Sequence, residues 1–177
     1  GFIGHNLALD LIKDGNEVVI TDSLGVNNLY TVISNKDNLP NPKLSEIFIN
    51  ERLKLIKENN IQFIIQDARN YHAMTNLMNK FQPDVLIHLA AVSHANRSNK
   101  YPHSTFDHSF RTLENSLDCA KHYKCHFIYF SSSMVYGNFK GDEVDEKSHC
   151  NPIGIYGALK YSGEKLIIAY NQVFGLS

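Results

Sequence analysis

Short apolar runs alternate with longer amphipathic stretches along this chain. The runs that predict buried strands are residues 17–21, 61–66, 84–89 and 126–131. Apolar residues at helical spacing predict helices over residues 2–14, 43–59, 106–123 and 156–174. The strand runs are continuously apolar, which is typical of parallel strands covered on both faces. Because strands and helices alternate, we predict right-handed crossovers and a doubly wound parallel sheet of the α/β class, in one domain over residues 1–177.

The chain enters its first helix at once, with no strand before it. In a doubly wound sheet the first strand is central, and without it two strand edges would face a gap with unpaired backbone groups. The far end is equally abrupt, because only residues 175–177 follow the last predicted helix. We therefore expect an internal fragment of a longer protein. The alternative is a permuted or minimal fold that begins at residue 1.

The composition is that of an ordinary folded domain, with 177 residues, 43% hydrophobic and 20% charged, and a net charge of −1. The longest apolar runs are far shorter than the roughly 20 residues of a membrane helix, and no signal peptide is visible. The Lys and Arg residues are scattered along the chain, so we expect no positively charged surface that would attract nucleic acid or an anionic membrane. Three cysteines without C-x-x-C spacing and nine unclustered histidines disfavour disulfides and metal. We expect a soluble, cytoplasmic domain, with His88 as a hydrogen-bonded core histidine.

Two glycines and one acidic residue predict a dinucleotide site. Gly1 and Gly4 stand at the start of the first helix, whose N-terminal N–H groups and dipole suit a pyrophosphate. Asp22 follows Gly4 by 18 residues, at the end of the next strand, where an acidic residue can bind the adenosine ribose diol. Its charge would repel a 2′-phosphate, which favours NAD over NADP. The alternative is that Asp22 only forms a turn.

A tyrosine, a lysine and a run of serines predict proton-transfer chemistry. Tyr156 and Lys160 are four residues apart on a predicted helix and so share a face. A nearby ammonium favours the phenolate form of the tyrosine. Three serines at 131–133 follow a predicted strand, at the sheet edge where open α/β sheets bind ligands. A serine there can hydrogen-bond the substrate oxygen that the tyrosine deprotonates; the alternative is a serine-rich turn and a surface helix pair.

With these residues the chain resembles the extended short-chain dehydrogenase/reductase family, and within it the NAD-dependent nucleotide-sugar epimerases. The resemblance covers essentially all 177 residues in order. It implies a Rossmann-type NAD-binding domain with NAD as the cofactor and a nucleotide sugar as the substrate. It also implies that the first strand and the C-terminal substrate lobe lie outside this chain. Family members often dimerise through the helices that correspond to 106–123 and 156–174, so a homodimer is expected.

The resemblance assigns a catalytic set, a cofactor-binding set and no metal ligand. The catalytic set is Ser132, Tyr156 and Lys160. A one-residue slip in the alignment would put Ser131 or Ser133 in place of Ser132. The cofactor-binding set is Gly1, Phe2, Ile3, Gly4, Asp22, Asp67, Ala68, Leu89, Ala90, Ala91, Ser93, Tyr156 and Lys160. Within it, Asp67 and Ala68 match the pair that contacts adenine.

The implied reaction is epimerisation. Tyr156 would remove a proton from a sugar hydroxyl while NAD takes a hydride from the same carbon, and hydride return to the other face gives the epimer. Dehydratases of the family carry an Asp-Glu pair after the serine, where this chain has Ser133 and Met134, which argues against loss of water. The alternatives are a dehydrogenase, reductase or dehydratase of nucleotide sugars on the same scaffold, and a non-catalytic NAD-binding module.

Overall fold

A computed structural model describes residues 1–25, 28–34, 40–92, 95–139, 141 and 143–177. The chain divides into two units, Gly1–Asp67 and Ala68–Ser177. Each unit holds a parallel two-stranded sheet with helices between its strands. The predicted α/β class with parallel strands is therefore confirmed.

The first unit is built around one parallel strand pair. Its elements are α1 (Phe2–Lys13), β1 (Val19–Asp22), α2 (Leu29–Ser34), α3 (Pro42–Glu58) and β2 (Gln62–Ile65). Strands β1 and β2 pair from Val19↔Gln62 to Asp22↔Ile65. Among the described residues of this unit, Ala8, Ile56 and Ile61 form one buried apolar cluster, and Val32 and Ile49 are also buried.

The second unit contains the remaining elements. They are α4 (Tyr71–Phe81), β3 (Val85–His88), α5 (Ala95–Lys100), α6 (Pro102–Phe106), a π-helix (Asp107–Arg111), α7 (Thr112–Tyr123), β4 (His126–Tyr129), a 3-10 helix (Ser133–Val135) and α8 (Gly154–Phe174). Strands β3 and β4 pair from Val85↔His126 to His88↔Tyr129. Helix α7 is central to the core, where Leu113 and Leu117 are almost fully buried with Met74, Met78 and Phe127.

Local chemistry explains where several elements begin and end. Helix α3 starts after Asn41, whose Oδ1 accepts the Leu44 N–H at 3.0 Å, with Pro42 in its first turn. Helix α1 is followed by Gly15 with a φ of +84°, a conformation that favours glycine. The carboxyl end of β4 leads directly into the serine run at residues 131–133.

The four predicted strands all form, but two other expectations are wrong. The predicted helix over 106–123 is divided, since α6 begins at Pro102 and a π-helix separates it from α7. The expectation that both sheet faces are covered fails in the described residues, because Val85 and Ile128 remain 44% and 36% exposed. The reason is that the core packs on the opposite face of this sheet, which carries Phe127 and Tyr129.

Candidate active site

Helix α8 lies directly against the segment that follows β4. A Cβ atom added at Gly157 would lie only 2.6 Å from the carbonyl oxygen of Met134. Any larger residue would push the helix away from the 3-10 helix, so a glycine is required at this contact. This close approach sets the distance between the serine run and the first turns of α8, which carry Tyr156.

Lys160 is anchored one turn further along the same helix. Its Nζ donates a 2.6 Å hydrogen bond to the carbonyl oxygen of Phe130 and lies 4.7 Å from the centre of the Tyr129 ring. The side chain is only 7% exposed, and this burial lowers the pKa of the Lys160 ammonium. The ammonium is thus held in place beside the residues that lead into Ser132.

Tyr156 and Lys160 share a small cavity. Its volume is about 10 Å³, enough for roughly one water molecule. The residues that line it are His88, Ala90, Ala91, Ser109, Phe110, Tyr129, Tyr156, Leu159 and Lys160. The predicted tyrosine–lysine pair therefore faces a common space at the end of β3 and β4, together with two of the predicted cofactor-binding alanines.

His88 closes the inner side of this cavity and is a core histidine, as predicted. Its Nδ1 lies 3.0 Å from the Ser116 hydroxyl, and its ring packs against Phe127 and Tyr129. Burial, and secondly the charge of Lys160, lower the pKa of His88 to about 4. The imidazole is therefore neutral near pH 7 and adds no second positive charge next to Lys160.

Ser131 and Ser132, the first two serines after β4, have different side-chain partners. The Ser131 hydroxyl donates to the Glu164 carboxylate on α8. The Ser132 hydroxyl oxygen accepts the Met134 N–H at 3.2 Å, at the start of the 3-10 helix. Among the described residues no acceptor takes the hydroxyl proton of Ser132, so this proton is available to a ligand. This difference supports Ser132 over Ser131 as the reacting serine.

A residue outside the predicted set fixes the start of α8. The Oδ1 atom of Asn99 on α5 accepts the Ile155 N–H at 3.1 Å and so caps the helix one residue before Tyr156. Gly154 precedes this bond with a φ of +77°. The sequence reasoning missed Asn99 because α5 is a short polar helix without an apolar stripe, and no signal in the sequence links it to residue 155.

The predicted diphosphate and ribose ligands lie in the first unit. Gly1, Phe2, Ile3 and Gly4 form the start of α1, where no side chain caps the helix and the first-turn amides have no carbonyl partner within it. Asp22 ends β1; its Oδ1 accepts the Leu24 N–H at 2.7 Å, and its Oδ2 lies 3.7 Å from the Gly1 nitrogen. Backbone donors beside a carboxylate fit the diphosphate and ribose diol of a dinucleotide.

The remaining predicted cofactor residues are spread over both units. Asp67 ends the first unit, and the Ala68 carbonyl in the second accepts a 2.9 Å hydrogen bond from the Asn115 amide. Leu89 is half-buried and does not line the cavity, whereas Ala90 and Ala91 do. Ser93 lies outside the described residues. Thus four members of the set, Ala90, Ala91, Tyr156 and Lys160, line one cavity.

Neither a metal site nor a membrane-spanning helix is found in the described part of the chain. No group of three or more His, Cys, Asp or Glu side chains could hold a metal ion there. No helix in the same ranges is both long and apolar enough to cross a membrane.

A family model with the description "NAD dependent epimerase/dehydratase family" matches residues 1–177, and the chain belongs to this family. The CapI protein of Staphylococcus aureus is 30% identical over 99% of this chain and 48% of its own length. The uncharacterised UDP-glucose epimerase YtcB of Bacillus subtilis is 32% identical over 99% of this chain and 51% of its own. The chain thus spans about half the length of these curated relatives.

Solved structures confirm the Rossmann-type doubly wound fold. The UDP-glucose 4-epimerase of Thermotoga maritima, crystallised with UDP-glucose, has a TM-score of 0.80 at 23% identity, over 99% of this chain and 50% of that one. The Thermus thermophilus enzyme, in complex with NAD, has a TM-score of 0.78 at 24% identity, over 99% and 50% of the two chains. The family is NAD-dependent, in agreement with the cofactor predicted from Asp22.

Proposed function

We propose that this chain supplies the cofactor-binding and proton-transfer residues of an NAD-dependent nucleotide-sugar epimerase. The observation that carries the proposal is the cavity that Tyr156 shares with Lys160, whose ammonium is anchored two residues before Ser132. Relatives named as UDP-glucose and UDP-arabinose epimerases support the substrate class.

The chain offers suitable contacts for NAD. The first turn of α1 would hold the diphosphate, Asp22 the adenosine ribose and Lys160 the ribose next to the nicotinamide. The negative charge of Asp22 disfavours the 2′-phosphate of NADP. When bound, NAD supplies the acceptor and later the donor of one hydride at a sugar carbon.

The proton steps belong to the residues of the second unit. Tyr156 in its phenolate form takes the proton of the sugar hydroxyl as the carbon is oxidised, and it returns that proton when the carbon is reduced. Lys160 places its ammonium in the same cavity. Ser132 donates a hydrogen bond from its uncommitted hydroxyl to the same sugar oxygen and so orients it. Over one cycle the sugar recovers both the proton and the hydride, so no net oxidation results.

Two residues favour epimerisation over loss of water. A Dictyostelium discoideum relative named dTDP-D-glucose 4,6-dehydratase is 28% identical over 99% of this chain and 39% of its own length. At the positions after Ser132, where the resemblance places the acid and base of dehydratases, this chain has Ser133 and Met134. A methionine side chain has no proton to transfer.

Exposed apolar residues near the end of α8 support the predicted homodimer. Ile168, Val173 and Phe174 are 48%, 70% and 54% exposed. Helix α8 thus carries large apolar side chains that this chain leaves exposed. Helix α8 is one of the two helices through which the family resemblance places the contact.

The reaction is tested with the protein at its natural full length and a panel of nucleotide sugars, without added cofactor. We expect a new isomer of unchanged mass, resolved by chromatography and mass spectrometry, because NAD is regenerated in each cycle. Loss of 18 mass units, about one water, would indicate a dehydratase and contradict the argument from Met134. Turnover only after addition of free cofactor would indicate a dehydrogenase or reductase, and no turnover under either condition would favour a non-catalytic NAD-binding module.

A further inference from the structure

Helix α8 contacts the segment 130–134 on three successive turns. Gly157 lies against the Met134 carbonyl, Lys160 donates to the Phe130 carbonyl, and Glu164 accepts from the Ser131 hydroxyl. Positions separated by three and four residues lie on one face of a helix, so these contacts form one continuous strip. The first two position residues of the proposed site, whereas Glu164 has no assigned part in it.

We propose that Glu164 is a positioning residue, which fixes Ser131 and through it the direction of the Ser132 hydroxyl. The proposal rests on the proposed function. Glu164 bonds the hydroxyl of Ser131 and not that of Ser132. In this proposal it acts through its neighbour and is not a catalytic residue.

The backbone carries this effect from Ser131 to Ser132. The bond from the Ser131 hydroxyl to Glu164 ties the backbone at the end of β4 to α8, and this same backbone carries Ser132 as its next residue. Ser132 is extended, with φ −156° and ψ 148°, directly before the tight turn of the 3-10 helix. Without Glu164, Ser131 would be free to sample its other rotamers, and the strand end would lose one of its attachments to α8.

The hydrogen bond between Ser131 and Glu164 is suited to positioning the serine and contributes little to the stability of the fold. A hydrogen bond to a carboxylate is shorter and stronger than one between neutral groups. Ser131 is exposed and Glu164 is half-buried, so water can replace the bond and its loss has a small effect on folding. Burial, and secondly the negative charge of Glu164, raises the pKa of the Tyr129 phenol.

The test compares Glu164→Ala, Glu164→Gln, Ser131→Ala and the double alanine variant in the NAD-loaded, full-length protein. The substrate is the panel nucleotide sugar that the wild type isomerises. We expect Glu164→Ala to lower kcat by about tenfold to hundredfold with KM within about twofold, since it disturbs orientation rather than binding. Ser131→Ala should cause a similar loss, and the double variant no further one, because both remove the same interaction.

The glutamine variant separates positioning from charge. Its side-chain oxygen still accepts the Ser131 hydroxyl, so we expect kcat within about threefold of wild type. Gln172→Ala, at an exposed position on the same helix, is the control for general effects on α8 and should leave kcat unchanged. Three results would overturn the proposal. They are a normal kcat in Glu164→Ala, a loss in the double variant equal to the product of the two single losses, and a kcat of Glu164→Gln as low as that of Glu164→Ala.

Hydrogen exchange gives a readout that does not depend on turnover. The Met134 amide donates to Ser132 Oγ, so its exchange rate reports whether that turn is held. We expect faster exchange in Glu164→Ala but not in Glu164→Gln. An inactive wild type would contradict the proposed function alone, whereas an active wild type with unchanged Met134 exchange in Glu164→Ala would contradict the role of Glu164.

Discussion

Two helices of equal length show how differently the two units are built. Helix α1 in the first unit and helix α7 in the second both have twelve residues. Only Ala8 of α1 is buried, whereas seven residues of α7 are, among them Leu117 with no exposed surface. The first helix is therefore half-buried or exposed at all positions but one, and the second forms the centre of a core.

The two regions are also proposed to do different things. Diphosphate binding at α1 uses backbone amides, which are positioned by the helix itself and need no packed side chains. Proton transfer needs side chains held in one geometry, and Tyr156 and Lys160 lie on a helix that packs against the α7 core. The packed unit should therefore be sensitive to core substitutions, and the first unit much less so.

The largest expected effect on stability is that of Leu117→Ala. The leucine is fully buried, so its truncation leaves a cavity, and we expect a loss of about 3 to 5 kcal/mol in the free energy of unfolding. The matched variant is Leu9→Ala on α1, where the half-buried leucine should cost no more than about 2 kcal/mol. Urea denaturation followed by circular dichroism measures both values. Equal losses in the two variants would contradict the contrast between the helices.

A smaller loss in the free energy of unfolding is expected at acidic pH. The pKa of His88 falls from 6.5 to about 4 on folding, so the unfolded chain binds this proton between those two pH values and the folded chain does not. Stability contributed by the neutral histidine is complete above pH 6.5 and is lost as the pH falls toward 4. The loss amounts to about 3 kcal/mol at most. Denaturation series at several pH values measure it.

Two histidine variants locate that effect in the second unit. His88→Gln should flatten the pH dependence between 6.5 and 4, because the titrating group is gone. His5→Gln, at a half-buried position on α1, is the control for loss of an imidazole from the first unit. A wild-type profile in His88→Gln would show that other groups control acid sensitivity.

The fold was predictable to the extent that apolar patterns determine it. All four strands and the long helices α3 and α8 lie within two residues of their predicted bounds. Helix α4 was missed although Asn70 caps it and its buried methionines, Met74 and Met78, have helical spacing. The π-helix was not predicted; its Ser109 hydroxyl accepts the Val92 N–H, a tertiary contact that leaves no periodic signal in the sequence.

The candidate site was likewise predictable only where it depends on local sequence patterns. Tyr156 and Lys160 could be found because their spacing on one helix is a local property of the sequence. The contacts that position them join residues far apart in the chain, such as Asn99 with Ile155 and Ser131 with Glu164. Such pairs leave no periodic signal in one sequence. They become visible only when the strands and helices are placed together.

The most direct measurement of the central claim is turnover of Tyr156→Phe beside Tyr161→Phe, both in the full-length protein with the nucleotide sugar that the wild type converts. Tyr161 lies on the same helix but outside the cavity, so it controls for loss of any hydroxyl from α8. The account predicts that Tyr156→Phe keeps its bound NAD and loses at least about a hundredfold in kcat, while Tyr161→Phe remains within about threefold of wild type. Near-normal turnover in Tyr156→Phe would contradict the assignment of proton transfer to this residue.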